Sequence, residues 1–181
     1  MQRLPLAHPS RADAAPQARR AGALRRLLPN PLPGEDHILK IIAYVDGASR
    51  GNPGPAGYGV YMKSDAGEVI EICGFLGTTT NNVAEYAGLL EALEVAAQEG
   101  ASEVEIISDS LLLVQQMLGK YKVKHPNLVP LHAKARTLTR KFGRFSIRHT
   151  LRGGNKDADR LANLAVDRAN GRWVERRRDG A

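Results

Sequence analysis

The sequence predicts an α/β domain in which helices flank a mixed sheet, and three observations carry that prediction. β-type runs and helical stretches follow one another in the order β-β-β-α-β-α-α-β-α. The first strands are linked by a hairpin signal, so the sheet opens antiparallel. The 181 residues, 43% of them hydrophobic, suffice for one domain of about 140 residues plus tails.

The elements follow in order. Ile38 to Val45 is apolar and β-branched, fits a buried pleated surface, and reads as a central strand ending at Asp46. A glycine-rich turn runs from there to Gly57. Tyr58 to Lys63 and Val69 to Gly74 are short strands joined through Ser64-Asp65-Ala66-Gly67. Thr78 to Asn82 supply capping residues for a helix from Val83 to Glu99. Its stripe is Leu89, Leu90, Leu93, Ala96 and Ala97; Glu91, Glu94 and Gln98 face water, and Gly100 stops it. Val104 to Ile107 is a strand ending at Ser108-Asp109-Ser110, followed by a helix from Leu111 to Leu118 closed by Gly119. Leu128 to Phe142 is a third helix, Phe145 to Leu151 a last strand, and Asp157 to Ala169 a final helix. No internal repeat is detectable.

A net charge of +7 points to an anionic partner, nucleic acid first. Residues 1–37 are rich in Arg, Ala and Pro without a helical stripe and are expected to form a disordered basic arm; their composition also fits a transit peptide. Residues 38–170 are expected to be the folded domain. Residues 171–181, with Trp173 beside Arg172, Arg176, Arg177 and Arg178, form a basic tail that either stacks on or attracts nucleic acid or, the preferred reading, is a frayed, solvated terminus. No apolar run approaches the roughly 20 residues of a membrane span, so a soluble protein is expected. The single cysteine, Cys73, reads as core filler and fits a reducing, cytoplasmic compartment. A monomer without an organic cofactor is expected.

Four carboxylates stand in awkward places. Asp46 ends a dry strand, where a charge needs a partner or a cation; a turn aspartate is the alternative. Glu85 precedes Leu89 by four residues and Leu93 by eight, near the buried stripe of its helix. Asp109 ends another strand, and ligands of sheet proteins collect beyond the carboxyl ends of strands. Asp157 and Asp159 both fall in the first turn of the last helix, where the helix dipole alone accounts for either. Converging carboxylates repel and take up protons unless a divalent cation holds them. Oxygen donors without a Cys/His cluster favour magnesium or manganese over zinc.

The runs Asp46-Gly47-Ala48-Ser49-x-Gly51-Asn52-Pro53-Gly54-Pro55, Thr80-Asn81-Asn82-x-Ala84-Glu85, Ser108-Asp109-Ser110 and Asn155-x-x-Ala158-Asp159-x-Leu161-Ala162 resemble the type 1 ribonuclease H family. The similarity runs from about Lys40 to Ala169. It implies the ribonuclease H-like fold, a five-stranded mixed sheet with helices on both faces. It also implies that Asp46, Glu85, Asp109 and Asp159 are the catalytic acids and the ligands of two magnesium ions, with manganese able to substitute. The reaction implied is cleavage of the RNA strand of an RNA–DNA hybrid, leaving a 5′-phosphate and a 3′-hydroxyl. Gly47, Ser49, Gly51, Asn52, Asn81, Asn82 and Ser110 are the implied contacts to the hybrid, whose wide minor groove offers 2′-hydroxyls to small polar groups.

Two departures from the family pattern stand out. The tryptophan-containing basic insertion of some members is replaced by the short run Gly119 to Pro126, where Lys120, Lys122 and Lys124 are either phosphate contacts or a solvated charge run. In the loop where many members carry a mobile histidine, His149 falls within the last strand, and Arg152, before two glycines, is the preferred substitute for assisting the departing phosphate. His125 and His132 have no partner at ligand spacing and read as surface residues. A proofreading-type exonuclease fits poorly, because Ala48 stands where that pattern carries a glutamate. A hybrid-binding module that has lost catalysis is the remaining alternative, and the presence of all four acids weighs against it.

Overall fold

The computed structural model describes residues 38–179, and the expected arm at residues 1–37 lies outside the described residues. Strand β1 (Lys40–Ser49) pairs antiparallel with β2 (Gly54–Ser64), which pairs antiparallel with β3 (Glu68–Thr79). On the other side of β1, β4 (Glu103–Ser108) runs parallel to it, and β5 (Arg144–His149) runs parallel to β4.

A further strand, β6 (Arg172–Arg178), pairs antiparallel with β3 and completes the order β5-β4-β1-β2-β3-β6. Among the described residues the sheet therefore has six strands, not the five expected, and the sixth lies in what read as a frayed tail. The run Arg-Trp-Val-Glu-Arg-Arg-Arg is too charged to show an apolar alternation. It becomes a strand because the edge of β3 supplies a ladder and glutamates elsewhere in the fold neutralise its arginines.

β1 also runs further than expected. Asp46 is an interior strand residue opposite Gly59, and the ladder continues through Ala48 opposite Gly57 and Ser49 opposite Ala56. Glycine and proline mark turns in isolation, but here small residues let two strands stay paired almost to the bend. The turn shrinks to residues 50–53, with Gly51 at φ +106°, a conformation that glycine adopts without strain.

Helices α1 (Asn81–Gln98), α2 (Leu111–Met117) and α3 (Val129–Thr139) cover one face of the sheet. Ile41, Ala43 and Val45 of β1, Leu89 and Leu93 of α1, Ile106 of β4 and Leu113 of α2 form the main core there. Helix α4 (Lys156–Arg168) covers the opposite face, packing Leu161 and Ala165 against Tyr61, Val69 and Cys73. Glu91 departs from the expected wet face. Its side chain is largely buried, accepting from Tyr58 Oη at 3.1 Å and Arg172 Nε at 2.7 Å. Among the described residues, no helix is long and apolar enough to cross a membrane.

Candidate active site

Because β1 and β4 are parallel neighbours, their carboxyl ends lie side by side, and Asp46 near the end of one comes close to Asp109 just past the other. The third member comes from α1. Thr80 caps that helix by accepting from the Val83 N–H at 3.3 Å, which fixes the helix start beside β1. Any side chain at position 47 would collide with the backbone of Ala84 and Glu85, so Gly47 permits the approach. As a result Asp46, Glu85 and Asp109 each bring a carboxylate oxygen within 4.8 Å of the others.

Asp46 and Glu85 are each only 5% exposed, whereas Asp109 is half-buried. Burial above all pushes the Asp46 carboxyl up from its ordinary 3.8 to about 7, with the charges of Asp109 and Asp159 adding to it. The Gly47 N–H, 2.9 Å from Asp46 Oδ1, and the Arg152 charge oppose the rise. Burial, then Asp46 and Asp109, likewise drive Glu85 well above the usual carboxylate range. Glu85 Oε1 accepts from Asn81 Nδ2 at 3.4 Å, but its Oε2 is buried with no partner among the described residues. A buried acceptor without a donor, inside a trio of mutually repelling carboxylates, is the environment that a hard divalent cation satisfies.

Asp159 lines the same cavity of about 380 Å³ without joining the close trio. Its Oδ1 accepts from Arg152 Nη2 at 3.3 Å, which places Arg152, otherwise mostly in solvent, over the cavity mouth. Asp157 is not part of this lining; it lies 3.8 Å from Arg160 and faces a separate hollow with Tyr44 and Tyr61.

Of the expected substrate contacts, Gly47, Ser49 and Asn81 line the cavity. Gly51 and Asn52 sit on the exposed 50–53 turn, where Asn52 Oδ1 accepts from the Asn81 N–H at 3.2 Å and ties the turn to α1. Asn82 is exposed in the first turn of α1. Ser110 caps α2, its Oγ accepting from the Leu113 N–H at 3.3 Å. His149 ends β5, its Nε2 lying 3.2 Å from the Asp109 carbonyl oxygen. Lys122 and Lys124 border another hollow with Gln116, His132 and Arg136.

One site residue escaped assignment from sequence. Asn155, 1% exposed, donates from Nδ2 to the Val45 carbonyl oxygen at 2.9 Å and to Asp109 Oδ1 at 3.0 Å. It lies within a motif already singled out, but no local pattern distinguishes an asparagine that bridges two strands from one that caps a helix.

The reverse transcriptase-like family matches residues 44–165. Bifunctional protein Rv2228c of Mycobacterium tuberculosis is 47% identical over 133 residues, which are 72% of this chain and 36% of that protein. Ribonuclease HI of Halobacterium salinarum is 44% identical over 131 residues, 72% of this chain and 66% of the relative. The chain thus spans about a third of the length of the first of these relatives. Among solved structures, LC11-RNase H1 in complex with an RNA/DNA hybrid is 43% identical with a TM-score of 0.67, covering 71% of this chain and 98% of its own. With the family match spanning most of the described domain and the acid trio at the ends of β1 and β4, the chain belongs to the type 1 ribonuclease H family.

Proposed function

We propose that this protein is a metal-dependent endonuclease that hydrolyses the RNA strand of RNA–DNA hybrids. The observation that carries the reading is the convergence of Asp46, Glu85 and Asp109 in an open, polar cavity, with an oxygen of Glu85 left without a donor. The relative LC11-RNase H1 was solved with an RNA/DNA hybrid, which supports the same substrate here.

In this reading Asp46, Glu85 and Asp109 hold a magnesium ion, and Asp159 with Asp46 completes the place of a second; manganese is the natural substitute. When bound, such ions lower the pKa of water and offset the charge that develops on the phosphate. The net reaction adds a water oxygen to phosphorus and breaks the bond from phosphorus to the 3′-oxygen, which takes up the proton. A 5′-phosphate and a 3′-hydroxyl result.

The chain's own residues bind and orient. Asn155 fixes Asp109, and Gly47 and Ser49 offer a close, small-residue surface to the hybrid backbone. Asn52 and Asn81, tied to each other, form one rim with Gly51 and Asn82, and Ser110 stands at the end of β4. Arg152, exposed and with Asp159 as its one side-chain partner among the described residues, is suited to donate to an oxygen of the departing 5′-phosphate product. Cys73, a buried free thiol, suits the reducing cytoplasm, where we place a monomeric enzyme.

The test is cleavage of end-labelled RNA–DNA, RNA–RNA and DNA–DNA duplexes and of single-stranded RNA, with magnesium, manganese or chelator. Cutting of the hybrid's RNA strand alone, and only with metal, is the expected result. Hybrid binding without cleavage under any metal would identify a binding module instead.

A further inference from the structure

We infer that the arginine-rich strand β6 is a positioning element that grips both helices carrying the catalytic acids, and is not a nucleic-acid contact. The inference rests on the proposed ribonuclease function. Its basis is the alternation of β6, whose two faces reach two different helices.

On the α1 face, Arg172 Nε lies 2.7 Å from Glu91 Oε1, and Arg176 Nη1 lies 2.7 Å from Glu99 Oε1. Val174, between them, packs against the main core. Glu91 is therefore shared between β6 and Tyr58 of β2, and Glu99 is the residue that closes α1. Helix α1 carries Glu85.

On the α4 face, Arg177 Nη2 lies 3.0 Å from Glu71 Oε1, and the same oxygen accepts from Arg160 Nη2 at 3.0 Å. Glu71 is 7% exposed. A carboxylate this buried depends on both arginines, since an unpaired buried charge is strongly unfavourable. Arg160 follows Asp159 directly in the chain. At the far end of α4, the Arg168 guanidinium stands 5.6 Å over the Trp173 ring. β6 thus touches the last turn of α4 directly, through Trp173, and is tied to Arg160, one residue past Asp159, through the Glu71 carboxylate of β3 that Arg177 and Arg160 share.

The charges of β6 are accordingly spent inside the protein. Arg172, Arg176 and Arg177 face Glu91, Glu99 and Glu71, and only Arg178 of the strand's arginines lacks an ion-pair partner among the described residues. The mechanical need is plain. Asp159, Asp46 and Asp109 repel one another, and Asp159 rides on a helix that reaches the sheet from the face opposite α1. The direct contact at Arg168 and the shared Glu71 carboxylate at Arg160 resist that repulsion and keep the four acids at a spacing a cation can bridge.

The experiment compares the parent protein with Arg172→Met/Arg177→Met at a temperature well below both melting points. It reads substrate-free magnesium and manganese binding by calorimetry, hybrid affinity across a salt series in chelator, and kcat and KM at several metal concentrations. The expected result is cation affinity weakened about tenfold, the scale of an outer-shell positioning effect, with kcat recovered at high metal and hybrid affinity unchanged. Hybrid affinity that falls with a shallower salt slope, at unchanged cation affinity, would overturn the inference and make β6 a phosphate-binding strand. Unchanged values throughout would overturn it too. If the double variant fails to fold, Arg177→Met and Arg177→Lys are compared singly, and the lysine is expected to restore most of the cation affinity. A parent that binds cations without cutting refutes the ribonuclease reading alone; a parent that binds no cation refutes both.

Discussion

Asn155 Nδ2 sits 3.0 Å from Asp109 Oδ1 and 2.9 Å from the Val45 carbonyl oxygen, so one side-chain amide joins the first residue of the α4 approach to the ends of β1 and β4. One oxygen of Asp109 is occupied by this bond, which sets the direction of the other. Asn155→Ala should cut activity about 10- to 100-fold at limiting metal, as loss of a ligand's supporting hydrogen bond does. It should also destabilise the fold by about 1 to 3 kcal/mol, because the Val45 carbonyl loses its donor in a buried place. Cleavage rates across a magnesium titration, with thermal melts of the same samples, check both.

Asp46→Asn and Glu85→Gln should act in opposite directions on activity and stability. In the proposed function each removes a cation ligand, so each should abolish turnover while leaving hybrid binding largely intact. Each also removes a buried charge from a repelling trio, so in chelator both variants should melt higher than the parent. A variant with near-parental cleavage would refute the ligand assignment.

The raised Asp46 carboxyl makes a pH prediction for the cation-free protein. Its folded pKa of about 7 lies above its ordinary 3.8, so between those values the native state binds more protons than the unfolded chain. Stability in chelator should therefore be fully present below about pH 4 as far as this group is concerned, and should decline as pH rises toward 7. Glu85, shifted in the same direction, adds to the decline. Magnesium should reverse it, and cation binding near pH 6 should release protons, read as a buffer-dependent heat in calorimetry.

Gly47→Ala tests the junction of β1 and α1. The added methyl collides with the backbone of Ala84 and Glu85, and backbone cannot step aside as a side-chain tip can. The substitution should destabilise the protein by about 1 to 3 kcal/mol and should lower kcat by displacing Glu85 from Asp46. Denaturant unfolding and steady-state rates separate the two effects.

The helices and most strands were legible because their information is local: an apolar stripe, a capping threonine, a glycine stop. Three of the four acids of the cavity could be flagged by placement alone, Asp46 and Asp109 by strand ends and Glu85 by its proximity to Leu89 and Leu93. The choice between Asp157 and Asp159 could not, since both occupy one helical turn and only tertiary packing turns one toward the cavity. What escaped was long-range. Glu91 read as a wet-face residue because Arg172 and Tyr58 are far from it in sequence. β6 read as a tail because its arginines resemble a solvated run until Glu71, Glu91 and Glu99 are seen opposite them. β1 and β2 both read as too short because Gly47, Gly54, Pro55 and Gly57 mark a turn by composition although they pair as strand.

β6 also changes how the sheet meets other molecules. Beneath it runs β3, whose Val69, Ile70, Ile72 and Cys73 form one of the most apolar stretches of the protein. Left bare, that ladder of free N–H and C=O groups would be a template for any extended chain, including another copy of itself. With β6 in place the rim presents exposed Glu175 and Arg178, the latter without an ion-pair partner among the described residues, and charge along an edge disfavours the addition of another strand. The last described strand thus covers the apolar ladder of β3 at the border of the sheet farthest from β5.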